Sequence, residues 1–145
     1  QVLQYESEGR ATDFPATLQF LEPLLRRRAA VVVLSDFLDP EQWRGLDRLA
    51  WRHDVIAMQL TDPRERALPP VGLVTLWDPE TDAWQVVDAG DPEVRERFAE
   101  ARHAFDEALG RYTTQRGIDL LRLETDQPFG ERLAAFFSRR ELRRV

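Results

Sequence analysis

The sequence contains no cysteine and no lysine, only two histidines, and a single methionine. Without cysteine there are no disulfides and no thiolate metal sites, so the redox state of the surroundings has no bearing on the fold. Without lysine there is no Schiff-base amine, no phosphate-loop lysine and no lysine beside a phosphorylated aspartate. All 20 basic residues are arginine. The longest apolar runs fall far short of the ~20 residues that a membrane helix requires, which excludes a direct membrane span in this chain. No signal-peptide pattern is present, so the expected location is cytoplasmic. The chain also starts without methionine, at Gln1, as a piece of a longer protein would.

What is present fits one α/β domain. A chain of 145 residues with 43% hydrophobic and 32% charged composition is long enough to bury a single core. The formal charge of −6 and a pI near 5.0 argue against nucleic acid as a partner. The arginine clusters at Arg26 to Arg28 and Arg139 to Arg144 read as solvated helix ends that complement the helix dipole.

Val31 to Leu34 is a continuous β-branched and apolar run, the pattern of a parallel strand covered by helices on both faces. Val55 to Leu60 is a second strand. Between them, Asp39, Pro40 and Gln42 supply a cap, a first-turn proline and a capping-box side chain, giving a βαβ unit. Gly72 to Trp77 and Trp84 to Val87 flank a turn cluster and form a hairpin at the edge of the sheet. Asp91 and Pro92 open a long helix whose Val94, Phe98, Ala101, Phe105, Ala108 and Tyr112 make an apolar stripe, read as core. Gly117 stops it, Ile118 to Leu123 is another strand, and Asp126 and Pro128 start a final helix. Upstream, Thr12 to Arg28 is helical, capped by Asp13 and interrupted at Pro23. The expected fold is a mostly parallel sheet with helices on both faces and an edge hairpin, in one partial domain over 1–145.

In such sheets ligands gather at the carboxyl ends of the strands. Asp36 closes the first strand and Asp62 the second, with Ser35 and Thr125 nearby. Oxygen donors of this kind suit magnesium, calcium or manganese. They do not suit zinc, because His53 and His103 lie in different elements. Alternatively, Asp36 caps the following loop or pairs with an arginine, and Asp62 and Asp78 are turn formers before proline. An enzymatic reading would make Asp36, Asp39 and Asp62 ligands of a magnesium-dependent ester or phosphoester hydrolase, with His53 as base. No nucleophile and base stand at a recognisable spacing, and no catalytic residue is assigned.

The segments VVVLSDFLD, RHDVIAMQLTDPRERALPPVGLVTLWDPET, IDLLRLETD and LAAFFSRR resemble the C-terminal half of the bacterial family catalogued as domain of unknown function fifty-eight. That family is similar to the von Willebrand factor A fold and is typically encoded beside MoxR-type AAA+ ATPases. Where the family carries glycine after DPET, this sequence has Asp82. The resemblance implies a divalent-ion site built from an Asp-x-Ser-x-Ser loop, a threonine and an aspartate. Thr12 matches the threonine and Asp36 the aspartate, while the serine loop is missing from this chain. It further implies a non-catalytic binding module whose partner is a protein, the AAA+ ATPase, with Asp62, Arg64 and Glu65 as rim contacts. Lacking its neighbour, the Val31 to Leu34 strand would expose a pairing edge, so self-association through it is expected.

Overall fold

The computed structural model describes residues 14–78 and 83–142. In chain order the elements are α1 (Phe14–Leu21), β1 (Ala30–Ser35), α2 (Pro40–Arg52), β2 (Asp54–Thr61), a 3-10 turn (Pro63–Glu65), β3 (Leu73–Asp78), β4 (Ala83–Asp88), α3 (Pro92–Gln115), β5 (Asp119–Glu124) and α4 (Phe129–Leu142). The expected helix upstream of β1 ends at Leu21, two residues before Pro23, whose ring cannot continue it. The proposed cap Asp13 lies outside the described residues, as do 79–82 of the hairpin turn. Gly117 takes a φ of +66° just beyond α3, a conformation glycine adopts without steric cost.

β1, β2 and β5 form a parallel sheet in the order β1-β2-β5, with Val33 opposite Ala57 and Ala57 opposite Leu120. The hairpin forms where the sequence places it, with Trp77 opposite Trp84, but as its own two-stranded sheet rather than hydrogen-bonded to the parallel one.

Alternation along β2 sends its side chains to two cores. Val55 and Ala57 join Leu46 and Leu49 of α2, Phe14 and Leu18 of α1 and Leu109 of α3. Gly45 permits this packing: a Cβ there would collide with the ring of Phe14 and lie 2.7 Å from Leu18 Cδ1. Ile56 and Met58 face the other way, against Leu121 and Leu123 of β5 and Leu133 and Phe136 of α4. α4 is fastened below that second core by Arg140, which is buried and paired with Asp54 and, at 3.1 Å, with Asp119.

Two sequence expectations change. Among the described residues, β1 is not covered on both faces. Val31 and Val33 pack on the helical side, whereas Val32 and Leu34, on the α4 side, are 42% and 60% exposed. α4 lies against β5 and leaves that flank of β1 open. In α3 the buried positions are Arg102, Leu109 and Thr113, not the apolar stripe. Phe98, Phe105 and Tyr112 are half-buried beside them, and Ala101 is exposed. The helix is rolled so that a polar row faces the sheet, and that row belongs to the site described next.

Candidate functional site

The polar row begins with Gln59. Its parity along β2 matches that of Val55 and Ala57, so it points into the helical side of the sheet, and it is fully buried. A primary amide in that position requires partners. Its Nε2 donates to Asp106 Oδ1 of α3 at 3.0 Å and to the Asp36 carbonyl at 3.5 Å, and its Oε1 accepts from Arg122 Nε of β5 at 3.0 Å. Arg122 Nη2 donates to the Asp106 carbonyl at 2.6 Å. Arg102, on the preceding turn of α3, reaches Asp106 Oδ1 at 3.2 Å and the buried Thr61 hydroxyl at 3.5 Å. Gln59 therefore ties all three parallel strands to α3 at their carboxyl ends, where such sheets place ligands.

Asp36 stands at the outer end of this network. Its carboxylate is exposed, with Oδ1 accepting from the Leu38 N–H at 3.1 Å and from the Ser35 hydroxyl at 3.4 Å. Among the described residues, Oδ2 has no hydrogen bond and no arginine lies in ion-pair contact with the side chain. The next residue explains the placement. Phe37 holds a φ of +58° and is completely buried, an unfavourable backbone region for an aromatic residue. Its N–H donates to Ser35 Oγ at 3.1 Å and its carbonyl accepts from Trp43 Nε1 at 3.0 Å. Burial of the ring and these two bonds overdetermine the turn, so strain persists beside a functional candidate.

The support continues inward. Tyr112 donates to the Trp43 carbonyl at 2.8 Å, and the two rings lie 5.4 Å apart. Burial, reinforced by the hydrogen bond and charge of Asp47, pushes the Tyr112 phenol up from 10.0 to about 12, and Arg116 over its ring partly opposes the shift.

Asp62, Arg64 and Glu65 sit together in the 3-10 turn after β2. Asp62 caps it, accepting from the Arg64 N–H at 2.9 Å, as expected of an aspartate before proline. Arg64 is exposed, and Glu65 approaches Arg102 at 3.6 Å. Asp36 and this turn thus occupy the same end of the sheet. His53 does not. It is buried at the start of β2, before all eight residues of the strand, so it lies roughly 26 Å from the carboxyl end at ~3.3 Å per residue. It cannot act as a base beside Asp36 or Asp62. His103 is an exposed residue of α3, 3.8 Å from Glu107.

Thr12 lies outside the described residues. Among the described residues no three histidine or carboxylate side chains cluster with metal-binding geometry. Asp36 fits as one hard oxygen ligand, whereas a divalent ion of this class takes about six oxygens, so most of its shell would come from elsewhere.

Gln59, Arg102, Asp106 and Arg122 were not singled out from the sequence, although it carries a signal for them. Gln59 and Arg122 interrupt apolar strand patterns at inward positions, and Arg102 and Asp106 are an opposite-charge pair four residues apart on a helix.

A family model described as "Protein of unknown function DUF58" matches residues 1–108. Uncharacterized proteins of Mycobacterium tuberculosis and Mycobacterium bovis are 36% identical over 133 residues, covering 91% of this chain and 42% of their own length. The chain therefore spans less than half of these relatives. An uncharacterized protein of Mycobacterium avium is 36% identical over 120 residues, 82% of this chain and 70% of that protein. No solved structure matches the chain.

Proposed function

The chain belongs to the family described as protein of unknown function DUF58, and from that premise we propose that it forms part of a non-catalytic protein-binding module working at the strand-end rim. The observation that carries this reading is Asp36. A carboxylate with one oxygen uncommitted among the described residues stands exposed on a turn fixed by buried Phe37, at the end of the sheet where partners are met. In the parent protein Asp36 and Thr12 contribute to a divalent-ion site whose shell is completed by polypeptide outside the described residues and by a carboxylate of the partner. The resemblance names a MoxR-type AAA+ ATPase as that partner. Asp62, Arg64 and Glu65, at the same end of the sheet, form its rim.

Calorimetric titration of magnesium or manganese into the complete parent, beside an Asp36→Ala variant, tests the ion. Saturable heat that disappears in the variant is the expected result; heat unchanged in the variant, or absent from both, removes ion binding from the proposal.

Part of the binding role falls to β1 itself. Its outer edge has no paired strand among the described residues, and Val32 and Leu34 are open beside it. We expect the 145-residue chain to self-associate through this strand. Light scattering should show a concentration-dependent mass that Leu34→Glu returns to monomer. A strict monomer in the unaltered chain would contradict the expectation.

A further inference from the structure

Between the flank of α3 and the outer side of β5 lies a pocket of about 510 Å³ lined in part by Arg66, Arg102 and Arg122. Two of these cations are neutralised. Arg102 pairs with Asp106 and Glu65, and Arg66 pairs with Glu124 at 2.5 Å. Arg122 is different: among the described residues no carboxylate lies within ion-pair distance of it. Its two hydrogen bonds go to neutral acceptors, Gln59 Oε1 and the Asp106 carbonyl. They fix the guanidinium plane without compensating its charge, and leave Nη1 without a partner among the described residues.

A half-buried cation without a counter-ion is costly, and one held rigid binds an anion at reduced entropic cost. Two further observations point the same way. Among the described residues, the buried Arg66 Nε–H has no acceptor. Gly110, opposite, leaves room for the fork, since a Cβ there would stand 3.3 Å from Arg122 Nη2.

We propose that this pocket is an oxyanion site for a carboxylate, received by Arg122 with Arg66 as the second donor. Charge selects the ligand class. With Arg66 and Arg102 already paired, Arg122 is left, among the described residues, as one uncompensated positive charge beside Asp106 and Glu107 of the lining. A single carboxylate matches it, whereas a phosphate dianion would be set against both acids. The planar guanidinium also complements a carboxylate in a two-bond geometry. Such a group reaches the pocket either as a small carboxylic acid or as an acidic side chain of a protein. The site makes no use of Asp36 or of an ion, so it stands apart from the rim proposed above.

The test is an NMR titration of the isotope-labelled 145-residue chain with acetate, glutarate, a peptide of alternating Glu and Gly, and inorganic phosphate. Saturable shifts are expected at the Gly110 amide and at the Nε–H signals of Arg122 and Arg66 for carboxylates, with phosphate weaker than all of them. Saturation by the free acids at lower carboxylate concentration than by the peptide identifies a small-molecule site, and the reverse order a peptide site. Arg122→Gln should weaken binding about tenfold or more, the loss of a charge-assisted hydrogen bond. Because Arg122 also anchors Asp106, Arg66→Gln and Gly110→Ala provide variants that leave that bond's partners in place; both should weaken binding. Absence of saturation by every carboxylate, phosphate binding as tightly as they do, or unchanged affinity in natively folded variants would overturn the assignment.

Discussion

The two faces of the parallel sheet are built from the same three strands and finished differently. On one face, α1, α2 and α3 cover β1, β2 and β5, and the side chains from Phe14 to Ile118 close into a core whose members are nearly all inaccessible. On the other, the single helix α4 shields Ile56, Met58, Leu121 and Leu123 but stops short of Val32 and Leu34. The strand sequences do not distinguish these situations, because Val32 and Val33 are the same residue with opposite surroundings. Coverage depends on how many helices the rest of the polypeptide delivers to each side, and the described residues deliver three to one side and one to the other.

The sharpest way to break this comparison is a pair of truncations. Leu109→Ala, on the closed face, should cost about 2–5 kcal/mol, the usual range for a cavity left in a tight core. Leu34→Ala, on the open face, should stay within about 0.5 kcal/mol, as surface changes do. Urea midpoints measured at a concentration where the chain is monomeric would show the difference. Equal losses would mean that the open flank is covered after all.

A smaller effect is expected at the polar end of the closed face. Gln59→Leu keeps the volume but strips Asp106 and Arg122 of a shared partner inside the protein, at about 1–3 kcal/mol. It should also blur the amide signals of Asp36 and its neighbours, because the Asp36 carbonyl loses its side-chain donor. Retention of full stability would show that water satisfies those groups and that the network is not a closed one.

The smallest change concerns Tyr112. Its folded-state value of about 12 lies above the ordinary 10.0, so the folded form holds the phenolic proton more tightly than the unfolded form does. The resulting stabilisation is complete below about pH 10 and is lost as pH rises towards 12. Tyr112→Phe should lower stability at neutral pH by about 0.5–1.5 kcal/mol through the lost bond to Trp43, and should make the alkaline decline shallower. Denaturation midpoints between pH 8 and pH 12, a span of about four units chosen to bracket both values, provide the measurement.

The element order was legible because local chemistry dictated it. Asp91 caps α3 with Pro92 at its first turn, and Gly117 ends it. Strand coverage was not legible, since the apolar run at β1 reads alike whether a helix lies over it or not. The roll of α3 was misread for a related reason. Phe98, Phe105 and Tyr112 offered a conventional apolar stripe, yet the sheet presents Gln59 and Thr61 at that level, and polar partners on the helix pack there instead. Asp36 and Asp62 were found as strand-end acids, but the buried residues behind them were hidden by their resemblance to ordinary surface charges. Only three-dimensional proximity joins Gln59 to Arg122, 63 positions later.

The Arg140 clamp has a bearing on how the strands find their alignment. Asp54 opens β2 and Asp119 opens β5, and with α4 seated one guanidinium holds both. A slip of β5 by a single residue would turn Asp119 to the opposite side of the sheet and leave Arg140 with Asp54 alone. The native alignment alone gives that guanidinium both carboxylates, so the final helix favours one pairing of the two strands over its neighbours.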